Sequence, residues 1–94
     1  MKLSIVIPAY NEEKTIHLIL DKVKSVTLIG QVEKEIIIVN DCSKDNTKGA
    51  IEKYMQGNPE MKIEYFEHEV NQGKGAALHT GIKCATGDFL IIQD

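Results

Sequence analysis

The chain has 94 residues, 43% of them hydrophobic and 27% charged, with a formal net charge of −3. That length bounds it to one small domain with a limited core. The apolar content is too high for a disordered chain, no apolar run is long enough to span a bilayer, and the acidic balance argues against a nucleic-acid partner.

The first predicted element is Leu3-Ser-Ile-Val-Ile7, short, β-branched and apolar at nearly every position. Such a run suits a strand buried on both faces of a parallel sheet, with Pro8 expected to end it. The same proline, followed by Glu12, Glu13 and Lys14, argues against a signal peptide. Apolar residues then recur at Ile16, Ile19, Leu20, Val23 and Val26, the spacing of an amphipathic helix, with Gly30 as its break. Glu35-Ile-Ile-Ile-Val39 predicts a second buried strand. The polar turn Asn40–Thr47 follows, in which Ser43, Asp45 and Thr47 are expected to serve as helix caps. A helix over Thr47–Gln56 is stopped by Gly57, Met61–His68 predicts a third strand, and Asn71-Gln-Gly-Lys-Gly75 a glycine-bearing loop. Ala76–Ala85 predicts a third helix, in which Gly81 is explained by close packing on the sheet. Asp88–Ile92 predicts a fourth strand, and Gln93-Asp94 close the chain.

The order βαβαβαβ predicts a three-layer, doubly wound parallel α/β sheet with right-handed crossovers and strand order 3-2-1-4. Ligands of such sheets bind outside the carboxyl ends of the strands. Those ends deliver Pro8–Glu12, Asn40-Asp41, Asn71–Gly75 and Gln93-Asp94, a rim of carboxylates and amides in which Lys74 is the one cation. No Walker loop and no GxGxxG fingerprint is present. A nucleotide bound here needs its diphosphate charge balanced in another way, and a divalent cation on oxygen ligands would do so. Asp94 is placed to begin such a site. Asp41 is placed to accept a base N–H, and Tyr10 offers a ring for the base to pack on. Cys42 and Cys84 form no CxxC pair and suggest reduced thiols in a cytosolic protein. His17, His68 and His79 have no metal-ligand spacing with them, so surface or partly buried roles are expected.

Four segments carry a resemblance: Ile5-Val-Ile-Pro-Ala-Tyr-Asn-Glu-Glu13, Ile36-Ile-Ile-Val-Asn-Asp-Cys-Ser-Lys-Asp-Asn-Thr47, Asn71-Gln-Gly-Lys-Gly-Ala-Ala-Leu78 and Ala85-Thr-Gly-Asp-Phe-Leu-Ile-Ile-Gln-Asp94. In this order they resemble the family 2 glycosyltransferases of GT-A fold, in the branch of polyprenyl-phosphate and dolichyl-phosphate sugar synthases. The resemblance implies transfer of a sugar from a nucleotide-diphosphate sugar to an acceptor, with Mg²⁺ or Mn²⁺. It implies that Pro8, Tyr10 and Glu12 line the nucleoside pocket, and that Val39 and Asp41 hold the base. Lys74 would approach the donor, and Asp94 would be the first aspartate of the DXD motif and a metal ligand. The branch implies a lipid-phosphate or glycan acceptor and work at the cytoplasmic membrane face. Cys42 stands where the family often has glycine, and Asn40 where it often has aspartate.

A doubly wound fold rarely stops on its central strand. Residues 1–94 are therefore expected to be the nucleotide-sugar-binding N-terminal part of a glycosyltransferase domain, cut at the DXD motif. The acceptor site and catalytic base are expected beyond Asp94. An exposed sheet edge is expected as well, with pairing of two copies as one outcome. The rival reading is a non-catalytic doubly wound or receiver-like module. A receiver would carry an acidic cluster after the first strand, where this chain has Pro8-Ala-Tyr-Asn11.

Overall fold

The computed structural model describes residues 1–27 and 32–93. Its elements are β1 (Lys2–Ala9), α1 (Ile16–Thr27), β2 (Glu33–Asn40), α2 (Thr47–Gly57), β3 (Ile63–Glu67), α3 (Lys74–Cys84) and β4 (Phe89–Ile92). The four strands form one all-parallel sheet in the order β3-β2-β1-β4, as the alternation of strands and helices predicted. Gly30 and Asp94 lie outside the described residues.

Alternation along the two central strands builds the layers. Ile5, Ile7 and Ala9 of β1 and Ile36 and Ile38 of β2 face one side, where they pack with Ile16, Leu20 and Val23 of α1 and Ile51 of α2. Ile37 and Val39 face the other side and pack with Ala77 of α3. Burying both faces of β1 and β2 explains why these strands are almost continuously apolar. Gly81 lets α3 lie close on the sheet. A Cβ there would come 2.4 Å from Val6 Cγ1, which bears out the expected packing role.

Two local expectations are corrected. Pro8 does not end the first strand; β1 continues to Ala9, with Pro8 opposite Val39. Proline is tolerated because its missing N–H falls on the β4 side, past the last pair of the β1–β4 ladder, Val6↔Ile92. The third helix begins at Lys74 rather than Ala76, with Gly73 as N-cap at φ +95°, a conformation suited to glycine.

At the amino ends of the strands sits a buried carboxylate. Glu35 is 1% exposed. It accepts hydrogen bonds from Ser4 Oγ (2.5 Å), Thr86 N (2.7 Å) and Thr86 Oγ1 (3.1 Å), and pairs with Lys2 Nζ at 3.2 Å. Gly87 N donates to Ser4 Oγ at 2.9 Å. This cluster pins the turn between α3 and β4 to β1 and β2, and so sets where β4 begins.

Candidate functional site

The carboxyl ends of β1 and β2 open into a cleft of about 370 Å³ lined by Pro8, Ala9, Tyr10, Glu12, Asp41, Asn71, Gly73, Lys74 and Ala77. Five of the seven residues singled out from the sequence meet here: Pro8, Tyr10, Glu12, Asp41 and Lys74. Val39 is not part of the lining. Its side chain is fully buried under α3, because alternation along β2 turns it into the core. Asp94 lies outside the described residues.

The first wall is the loop after β1. Tyr10 is 39% exposed, a large ring available to a ligand. Asn11 adopts φ 53°, the left-handed region that asparagine tolerates better than most residues. Its Oδ1 accepts from Lys44 N at 2.8 Å. Ser43 Oγ accepts from Asn11 N (2.9 Å), Thr47 Oγ1 from Glu12 N (2.9 Å), and Asp45 Oδ2 from Glu13 N (3.2 Å). Ser43, Asp45 and Thr47 thus tie the two strand-end loops together. The helix cap expected of them is supplied by Asn46, whose side chain accepts from Gly49 N. Glu12 Oε2 accepts from Thr15 Oγ1 at the start of α1.

The floor is Asp41, 3% exposed. Oδ1 faces His68 Nδ1 at 2.8 Å and accepts from Gln72 N at 2.9 Å, while Oδ2 accepts from Gly73 N at 2.8 Å. Burial pushes its pKa up, but the Gln72 amide, the His68 ring and the Gly73 amide outweigh burial and hold it below the ordinary aspartate value. Asn71 Nδ2 donates to the Asp41 carbonyl at 3.2 Å. The loop before α3 is therefore folded around this one carboxylate. Beside it, Asn40 donates to Tyr65 Oη at 3.0 Å and accepts from Ser43 Oγ at 2.6 Å. An ionised aspartate at that position has no proton for the tyrosine oxygen. Cys42 takes φ 56°, where glycine carries no steric penalty.

His68 was not singled out from the sequence. It bridges Asp41 and Thr80 Oγ1, the latter at 2.9 Å from Nε2, and is 9% exposed. Its position at the end of β3 was the available signal. Among the described residues, no three His, Cys, Asp or Glu side chains come together as a metal site. No helix among them is long and apolar enough to cross a membrane.

A profile described as glycosyl transferase family 2 matches residues 4–94. The chain belongs to glycosyl transferase family 2. Within that family it is 32% identical over 99 residues to a dolichyl-phosphate β-glucosyltransferase of Dictyostelium discoideum, covering 98% of this chain and 30% of the relative. It is 36% identical over 92 residues to a poly-β-1,6-N-acetyl-D-glucosamine synthase of Staphylococcus epidermidis, covering 98% of this chain and 21% of the relative. The fold superposes on a mannosyltransferase of Pyrobaculum calidifontis, a structure in complex with GDP-Man and Mn²⁺, with a TM-score of 0.83 and 25% identity. The match covers 94% of this chain and 25% of the other. The chain thus spans about a third or less of the relatives it matches. The sheet is part of a GT-A fold. Family membership displaces the receiver-like reading.

Proposed function

We propose that the cleft is the donor site of a family 2 glycosyltransferase, and that residues 1–94 carry its nucleotide-sugar-binding part. One observation carries this reading: Asp41 is held ionised at the floor of a cleft of about 370 Å³ at the carboxyl edge of a parallel sheet, next to the exposed ring of Tyr10. A base packed on Tyr10 donates its N–H to Asp41. Pro8 and Glu12 close the nucleoside side, and Lys74, first residue of α3, sits where the helix N-terminus and its own charge favour a diphosphate. Val39 lies in the core beneath α3 and stays outside the cleft lining.

In the parent reaction an acceptor oxygen attacks the anomeric carbon in line, the bond to the nucleoside diphosphate breaks, and configuration inverts. A divalent cation, Mg²⁺ or Mn²⁺, when bound neutralises the departing diphosphate. Asp94, which the resemblance places first in the DXD motif, is proposed as its first ligand. The acceptor is proposed to be a polyprenyl or dolichyl phosphate at the cytoplasmic membrane face. Similarity to the dolichyl-phosphate glucosyltransferase supports this, and similarity to the polysaccharide synthase supports a glycan acceptor as second choice.

Calorimetry with UDP and GDP in the presence of Mn²⁺ tests the donor site. Binding of a nucleotide by the wild type, weakened about tenfold or more in Asp41→Asn, is the expected result. No binding of either nucleotide at millimolar concentration would sink the reading.

A further inference from the structure

We propose that Asn11, which is not part of the cleft lining, is the positioning residue that sets the Tyr10–Glu12 wall of the cleft against the loop of Asp41. The proposal rests on the donor-site reading and names what holds that site in shape before a nucleotide arrives.

β1 ends at Ala9, and a chain that stayed extended would run on past the sheet at about 3.3 Å per residue. It turns instead. Asn11 takes φ 53°, and the Glu12 carbonyl already accepts from Thr15 N (3.0 Å) and Ile16 N (2.8 Å) at the entry to α1. Tyr10 and Glu12, on either side of the turning residue, both line the cleft. One backbone angle thus sets the direction of the wall. Most L-residues avoid that angle, because Cβ crowds the following carbonyl oxygen. A strained angle beside a cleft persists only where its surroundings hold it.

Two hydrogen bonds hold it, and both run to the loop of Asp41. Asn11 N donates to Ser43 Oγ at 2.9 Å, and Asn11 Oδ1 accepts from Lys44 N at 2.8 Å. The anchor is firm: Ser43 Oγ donates to Asn40 Oδ1 at 2.6 Å, and the buried Asn40 donates to Tyr65 Oη on β3 at 3.0 Å. The Asn11 side chain is itself exposed, so packing does not fix it. Asparagine meets both needs, tolerance of a positive φ and a side-chain acceptor. Glycine meets the first alone, aspartate meets both, and alanine meets neither. Each loss lowers the share of molecules with the wall in place, and apparent affinity falls with that share.

Calorimetric titration of the intact protein with UDP and with GDP, each with Mn²⁺, tests the proposal alongside urea denaturation of each variant. Asn11→Asp is expected to bind within about twofold of the wild type, Asn11→Gly about threefold more weakly, and Asn11→Ala about tenfold or more. A purely structural role lowers the urea midpoint and leaves the affinity of the folded protein unchanged. That result in Asn11→Ala overturns the proposal, as does an Asn11→Asp that binds as weakly as Asn11→Ala. Should Asn11→Ala lose the wild-type far-ultraviolet circular dichroism, Asn11→Gly takes its place, and wild-type affinity in that variant overturns the proposal. Failure of the wild type to bind either nucleotide removes the donor-site reading and the proposal with it, a result distinct from unchanged binding in the variants.

Discussion

Asp41 and Glu35 show how differently two buried carboxylates serve one sheet. Asp41 sits at the carboxyl ends of the strands and gathers a loop around itself. Replacing it by asparagine removes the charge from three hydrogen bonds and sets an amide N–H against a backbone donor. Asp41→Asn is therefore expected to lower stability by about 1–3 kcal/mol in urea denaturation. Its effect on nucleotide binding is best measured where the variant remains fully folded. Glu35 lies at the opposite ends of the strands. Burial raises its pKa, but Ser4, the Thr86 amide, Lys2 and the Thr86 hydroxyl together bring it down from 4.5 to about 2. The folded-state value lies below the unfolded one, so its contribution is complete above about pH 4.5 and is lost as pH falls toward 2. The scale of that loss is ~3 kcal/mol. Stability measured against pH should fall across this window in the wild type, and Glu35→Gln should flatten the fall while starting from a lower plateau.

At the scale of elements, α3 decides how the cleft is closed. Its first residue lines the cleft, and its packing on the sheet depends on Gly81. Alanine there would gain about 1 kcal/mol of helix propensity. It would also drive a Cβ to 2.4 Å from Val6 Cγ1, and valine in a fully packed strand has little rotamer freedom to yield. Gly81→Ala is expected to be destabilising by about 1–3 kcal/mol, seen as a lower urea midpoint with an unchanged m-value. The helix and strand periods exposed α1, α2, β1 and β2 in the sequence. The ends of β1 and α3 were less legible. A proline is harmless or disruptive according to which side its missing N–H faces, and Gly73 can start a helix because of a positive φ. Neither property is visible before the neighbours of the strand or loop are known.

For the molecule as a whole, the sheet has a covered centre and an apolar edge. Among the described residues β4 pairs with β1 alone, and Phe89, Ile91 and Ile92 are 56%, 44% and 46% exposed. An unpaired apolar edge favours association. Sedimentation velocity over increasing protein concentration should show self-association of these 94 residues, and Phe89→Lys should reduce it. Concentration-independent monomer would count against that expectation.

The sequence by itself determined the order of elements, the parallel sheet with β1 at its centre, and the rim residues Pro8, Tyr10, Glu12, Asp41 and Lys74. Strand and helix periods, and the rule that strand ends carry the ligand, are local properties of the chain. Only the tertiary structure decided that Asp41 is tied to His68, that Val39 is core rather than cleft, and that Glu35 anchors the start of β4. Those outcomes depend on side chains far apart in the chain, 27 residues for Asp41 and His68 and 51 for Glu35 and Thr86. Periodicity carries no information about which distant donor a buried carboxylate will meet. Folding settles it, because each buried charge must find partners or bear the full cost of its desolvation.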